Sequence, residues 1–402
     1  MKYKFSYGGA LIGKEEEKAI LKFVKMNWWP AASEADKMEK ETAKFLGVKH
    51  GILVNSGSSA GLLALSALEL PKGSEVIIPA TTFPTIFNII LQCGLVPVVV
   101  DSKIGTYNLD PNELEGAITK KTKAIICVHA VGNPVDMPKV MKIAKKHKLY
   151  VLEDNCDGWG GTIGKRKVGS FGHLSFTSFH AAHIVAMGQG GGIFTNDKEL
   201  ARKVRMYRDW GRQSDIPRRV NGKKWPTLPE DYDARFIYEK IGYNLGPLEL
   251  QAAMGRIQLK KTKKIKELRK RNFHYLYKKL SRFPDLILPQ WIKGADPSWF
   301  SFPLSTRGER GPLVAFLEKN GIETRSLFSG NILAHPAYRN VRVRSMLNEN
   351  SVCNSILTNS FWIGVHPRYT KKDLDWVISI FEKYYNKISF LGEFTWKLVY
   401  PK

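Results

Sequence analysis

The sequence predicts an α/β protein with a large mixed, mostly parallel sheet in one domain and a smaller α+β C-terminal domain. Three observations predict it. From about residue 48 onward, short β-rich runs alternate with helical stretches, and alternation at this spacing gives a mostly parallel sheet with helices on both faces. The 402 residues are enough for two packed units rather than one. The alternation also stops near residue 210, and from about residue 272 onward the α and β signals are shorter. The expected division is residues 1–265 for an N-terminal segment and the large domain, with an insert at 211–240, and 266–402 for the small domain.

Taken in order, His50 to Asn55 reads as the first strand, and a Gly-Ser turn then opens a helix from Ala60 to Leu70. Glu75 to Ile78 and Val96 to Asp101 are strands around a helix from Ile86 to Gln92. Lys123 to Val131 and Leu149 to Glu153 flank a helix from Met137 to His147. Leu174 to Phe179 and Gly192 to Thr195 resemble a closing hairpin. Residues 210–240 are rich in Arg, Lys, Pro and Asp without periodicity, so they read as a long functional loop. Pro247 to Leu259 is a helix that continues to Arg271 with a dense basic face, most simply a solvated surface. Sheets of this kind bind ligands outside the carboxyl ends of their strands.

Hydrophobic residues make up 43% and charged residues 25%, a balance that excludes disorder and fibrous classes. Met1 to Tyr7 lacks the apolar core of a signal peptide, and runs such as Gly94 to Val100 are too short to span a bilayer. Cys93, Cys127, Cys156 and Cys353 are scattered without a CxxC pair, so a reducing cytoplasm is expected. Lys+Arg 62 against Asp+Glu 37 leaves a net charge of +25, which favours encounter with phosphorylated ligands, polyanions and acidic surfaces without choosing between them. A Lys-rich proteome gives the same balance.

Four features along the large domain carry chemistry. Asn55-Ser56-Gly57-Ser58-Ser59-Ala60 lies between a strand and a helix, where free N–H groups and Ser hydroxyls form a phosphate cup; a plain helix cap has the same residues. Phe83, after the strand ending at Pro79, is placed to stack on a planar cofactor or to fill the core. Asp154 ends an apolar strand within Leu152-Glu153-Asp154-Asn155-Cys156-Asp157, where a carboxylate can keep a pyridine nitrogen protonated or simply cap a helix. Ser178, a further phosphate donor, and the pair His180 and His183 precede the glycine run 188–192. No acid or Cys sits at ligand spacing beside that pair, so a metal site is not indicated.

Together these motifs resemble the DegT/DnrJ/EryC1/StrS sugar aminotransferases over roughly residues 8–390, including Gly242-Tyr243-Asn244-Leu245-Gly246-Pro247. The resemblance implies the aspartate aminotransferase (pyridoxal-phosphate type I) fold and pyridoxal 5′-phosphate or pyridoxamine 5′-phosphate as cofactor. It places Gly57, Ser58 and Ser178 around the phosphate, Phe83 on the ring face and Asp154 on the pyridine nitrogen; Asp157 is read as a second acid near the ring oxygen. Asn244 would reach the phosphate of the neighbouring subunit, so a homodimer is implied. Arg212 and the insert cations Arg218, Arg219, Lys223 and Lys224 fit a nucleotide diphosphate, although a solvated basic loop has the same composition. Arg325 and Asn331 are carried over as substrate-facing residues of the small domain.

At the position of the family's lysine this sequence has His183, and no Lys occurs between Ser178 and Gly192. Imidazole cannot bond covalently to the cofactor aldehyde, so the cofactor is expected to be held non-covalently, and His183 is left as a general base. That change resembles the sugar 3-dehydratases, which use the pyridoxamine form to remove the C3 hydroxyl of a nucleotide-linked 4-keto-6-deoxyhexose. In the CDP-sugar branch, the cysteines that hold a [2Fe–2S] cluster fall, when laid from Cys156, on Ser214, Ile216 and Lys224. Thiolates are needed there, so no cluster is expected. The GDP-4-keto-6-deoxy-mannose branch has none and draws its amino group from glutamate. Trp210-Gly211-Arg212 and Asp231-Tyr232-Asp233 look like the CDP branch, so the nucleotide stays open between GDP and CDP. An ordinary 4-aminotransferase and a non-catalytic protein of the same fold are the competing readings. The first lacks its lysine; the second does not account for retention of Asp154, Ser178 and Asn244.

Overall fold

The computed structural model describes residues 3–25, 29–213, 227–229 and 232–399. Apolar, β-branched runs bounded by turn residues form the central strands: β1 (His50–Val54), β2 (Glu75–Pro79), β3 (Val96–Val100), β4 (Thr122–Val128) and β5 (Tyr150–Asp154). A short hairpin, β6 (Thr162–Ile163) and β7 (Arg166–Lys167), separates these from β8 (Leu174–Ser178) and β9 (Gly191–Thr195). The small domain supplies β10 (Leu286–Ile287), β11 (Ala295–Asp296), β12 (Ser301–Thr306), β13 (Thr324–Ser326), β14 (Arg344–Ser345) and β15 (Ser360–Gly364).

The large sheet has the order β1-β9-β8-β5-β4-β2-β3-β14. All its neighbours are parallel except at β9, which runs antiparallel to both β1 and β8. Strands β2, β3 and β9 are buried at every position, as expected for a sheet covered on both faces. A second, antiparallel sheet, β10-β12-β15-β13, builds the small domain, and β11 joins the β6–β7 hairpin.

The helices are α1 (Lys14–Val24), α2 (Ser33–Leu46), α3 (Gly57–Ser66), α4 (Pro84–Gln92), α5 (Leu114–Ala117), α6 (Met137–His147), α7 (Lys198–Arg208), α8 (Glu249–Leu280), α9 (Gly311–Lys319), α10 (Val352–Asn359) and α11 (Lys371–Val399). Sequence patterning misses α1 and α2, which pack on α8. The buried Glu249 carboxylate, at the start of α8, accepts the N–H groups of Ala32, Glu34 and Ala35 at 3.0, 3.0 and 2.8 Å and so holds the α2 N-terminus. Helix α3 begins at Gly57, three residues before the expected start, because Ser56 caps it by accepting from Ser59 N.

The basic run on α8 is solvated in part, as expected from sequence, with Lys260, Lys263, Lys264 and Arg271 exposed, but its other cations are engaged. Lys261 pairs with Glu16, Lys266 and Lys270 pair with Asp296, and Arg269 is buried. The expected boundary at 265/266 falls inside α8, between Ile265, in a core with Trp159 and Phe179, and Phe273, in a core with Phe302 and Phe361. Strand β14 adds a small-domain segment to the large sheet, with the Arg344 guanidinium on the buried Glu75 carboxylate at 3.1 and 3.0 Å.

Candidate functional site

The carboxyl ends of β1, β8 and β5 and the N-terminus of α3 lie along one edge of the large sheet. Gly57 lies so close to β8 that an added Cβ would sit 2.6 Å from Ser178 Cβ and 3.1 Å from Ser178 Oγ. Gly191 is packed equally tightly, 2.3 Å from the Ser56 carbonyl oxygen by the same measure. The N–H groups of Gly57 and Ser58 fall in the first turn of α3, where no intrahelical acceptor exists. The Ser58 hydroxyl bonds Thr85 Oγ1 at 2.8 Å, which ties the cup to the start of α4. Two glycines, two serines and a helix N-terminus thus meet in a cradle whose free N–H groups can take an anion. Overpacking of this kind costs about 1–3 kcal/mol. Gly57→Ala is therefore expected to fold but to weaken binding of a phosphorylated cofactor about tenfold or more, read by absorbance titration.

Two groups flank the space beside the cradle. Phe83 caps α4 and keeps 56% of its surface exposed, so it is not a core aromatic. Asp154 is the last residue of β5 and is buried; its Oδ1 accepts from Cys156 N at 3.0 Å. Burial pushes its carboxyl above the usual range, and the neighbouring charge of Asp157 pushes the same way. A carboxylate in that state has a strong electrostatic preference for a cation brought to it. The buried Asn55 Oδ1 and Thr82 Oγ1, immediately before the cup and before Phe83, have no partner among the described residues.

His183 lies on the turn after β8. Its Nδ1 is 3.4 Å from Asp157 Oδ1 and makes no hydrogen bond among the described residues. Its ring centroid is 5.4 Å from that of Phe300 and 6.3 Å from that of His180. Asp157 is thus placed against His183. Burial, then the Asp154 charge, pushes the Cys156 thiol well up, so this cysteine is held as a thiol between the two acids.

The remaining sequence-derived residues lie further out. Asn244 is exposed on a segment whose backbone pairs with Asp209, and the adjoining Leu245 carbonyl accepts from Asn55 N at 2.9 Å. The Arg212 guanidinium stacks over Trp210 and Phe236 at 5.1 and 5.7 Å. Arg325 lies 4.8 Å over the Tyr7 ring and pairs with Glu323. The Asn331 amide is occupied at both ends: its Oδ1 accepts from Leu333 N and its Nδ2 donates to Asn354. Arg218, Arg219, Lys223 and Lys224, like Ser214 and Ile216, lie outside the described residues. Sequence reasoning misses Thr82, Thr85, Arg269 and Phe300. Thr82 and Thr85 flank Phe83 in the sequence, whereas the signal of Arg269 on α8 and of Phe300 just before β12 is spatial, since both reach the site only through the tertiary fold.

Residues 10–382 match the model of the DegT/DnrJ/EryC1/StrS aminotransferase family. The Salmonella typhimurium lipopolysaccharide biosynthesis protein RfbH is 38% identical, covering 94% of this chain and 91% of its own. The dTDP-4-dehydro-2,6-dideoxy-D-glucose 3-dehydratase of Saccharopolyspora spinosa is 39% identical, covering 95% and 86%. Among solved structures, the E. coli GDP-4-keto-6-deoxy-D-mannose-3-dehydratase with bound hydrated PLP superposes with a TM-score of 0.87 at 28% identity, covering 94% of this chain and 100% of that one. Among the described residues, no helix is long and apolar enough to cross a membrane.

Proposed function

The chain belongs to the DegT/DnrJ/EryC1/StrS aminotransferase family, and from that premise we propose that it is a cytoplasmic, pyridoxal/pyridoxamine phosphate-dependent 3-dehydratase. Its substrate is a GDP- or CDP-linked 4-keto-6-deoxyhexose, its amino donor is glutamate, and its product leads to a 3,6-dideoxyhexose of a surface polysaccharide. The observation that carries this reading is His183, an imidazole set against Asp157 on a loop without lysine. The dehydratases among the relatives support it, and the hydrated PLP of the E. coli enzyme suits a cofactor held without a covalent bond.

The residues present fit the cofactor. The cradle of Gly57, Ser58 and Ser178 would hold the phosphate, Phe83 would cover the ring, and the buried Asp154 would face the ring nitrogen. When bound, pyridoxamine phosphate supplies an amine for the C4 carbonyl and a ring that accepts electrons. The chain does the rest. Asp157 facing Nδ1 orients the imidazole and leaves Nε2 of His183 to take and hold a proton. A lysine would return that proton to sugar C4 and yield an amino sugar, whereas histidine leaves loss of the C3 hydroxyl as the outlet. An iron–sulfur cluster has no part in the proposal, because Ser214, Ile216 and Lys224 cannot supply thiolates.

A homodimer completes the reading. Ile241 is 97% exposed, Tyr243 and Leu248 are exposed on the same segment as Asn244, and Trp29, Phe236 and Tyr238 are exposed as well; exposed apolar side chains of this kind fit an interface. Ile241→Asp is expected to shift the sedimenting species from dimer to monomer and to weaken cofactor binding, because Asn244 would then lack a partner site. An unchanged dimer would remove this patch from the interface. For the activity itself, the protein is incubated with pyridoxal phosphate, glutamate and GDP- or CDP-4-keto-6-deoxyhexose, without reductant. Mass spectrometry is expected to show a nucleotide sugar that has lost one oxygen, with release of ammonia. An amino sugar as product would establish the aminotransferase instead.

A further inference from the structure

Arg269, in the middle of α8, is only 2% exposed, and no carboxylate lies within ion-pair distance of it among the described residues. Its Nη1 donates to the Phe300 carbonyl at 2.5 Å, its Nη2 lies 3.4 Å from the Ala182 carbonyl, and its Nε has no partner among the described residues. A buried guanidinium held only by carbonyls is costly. Burial pulls it down to about 10, and the charge of Asp157 alone works against that.

Each contact leads to His183. Ala182 is the residue before it. The Phe300 ring lies between the two, 5.5 Å from the guanidinium and 5.4 Å from the imidazole. Asp157, the carboxylate facing His183 Nδ1, is also the anion whose charge acts on the Arg269 guanidinium. On the small-domain side burial, with the Arg269 charge acting the same way, depresses His366, which is engaged with the Gly9 carbonyl. We propose that Arg269 is a positioning residue for His183, fixing the Ala182 carbonyl and the Phe300 ring beside the imidazole. The inference rests on the proposed role of His183 as the group that handles the proton.

The test uses [15N]histidine-labelled cofactor-free protein, with the His183 resonances assigned by their loss in His183→Asn. In the wild type, a Nδ1–H directed at Asp157 is expected. In Arg269→Met that tautomer signature should be lost, and in loaded enzyme the dehydration kcat should fall about 10²-fold with KM for the nucleotide sugar unchanged. Arg269→Lys keeps the charge without the fork, so it should retain the signature in part and recover part of kcat. If Arg269→Met does not fold, Arg269→Lys must still shift the His183 resonances. Unchanged His183 resonances in the folded variants would overturn the proposal and leave Arg269 a structural residue. Altered resonances in a protein whose wild type makes amino sugar would preserve the inference while removing the proposed function.

Discussion

Replacing His183 with asparagine is expected to lower the rate of C3 dehydration about 10²–10⁴-fold, the usual range for loss of a positioned general base. Cofactor binding should be nearly untouched, because the residues proposed to hold it, Gly57, Ser58, Ser178 and the buried Asp154, lie on other elements. The contrast with His183→Lys is sharper. An amine at this position can bond the cofactor aldehyde, so borohydride treatment should leave the cofactor attached to the peptide containing residue 183. The wild type should show no such adduct. Loss of dehydration together with loss of cofactor in His183→Asn would instead assign the imidazole to binding.

Asp154→Asn has the second-largest expected effect. A neutral amide cannot keep the pyridine nitrogen protonated, and removing electrostatic stabilisation of this kind costs about 10²–10³-fold in kcat. Its effect on stability runs the other way. Burial, assisted by the charge of Asp157, raises the Asp154 pKa in the folded chain. Folding therefore favours the protonated carboxyl: the stabilisation is complete below the unfolded value and is lost as pH rises through the raised folded value. Asparagine stays neutral, so cofactor-free Asp154→Asn should be at least as stable as wild type at pH 7. Its thermal midpoint should also lack this one pH-dependent loss. A variant less stable than wild type at neutral pH would show that the carboxylate is satisfied in the folded protein.

The large domain was legible because its strands are continuous apolar runs separated by helices with clear starts; the helix from Met137 to His147 appears with the expected limits. The glycines of the cup and the acids after β5 were legible for a related reason, since each sits where a strand ends and the chain turns. Helices α1 and α2 were not. Both are rich in charge, and their buried faces become apparent only against α8. The two-residue strand β14 carries no periodicity at all, and its place is secured by the Arg344–Glu75 pair between distant segments. Asp157 facing His183 and the support from Arg269 and Phe300 were hidden for the same reason: three separate elements meet at one imidazole. Asn331 shows the converse, a residue chosen by motif whose amide is used as a cap.

The central claim is that histidine in place of lysine diverts nitrogen away from the sugar. The most direct measurement follows that nitrogen, with [15N]glutamate as sole amino donor and the 4-keto-6-deoxy nucleotide sugar as substrate. The 15N is expected in free ammonia, equal in amount to the 3-deoxy-4-keto product, with none retained in the nucleotide sugar. Recovery of 15N in a stable amino sugar would contradict it.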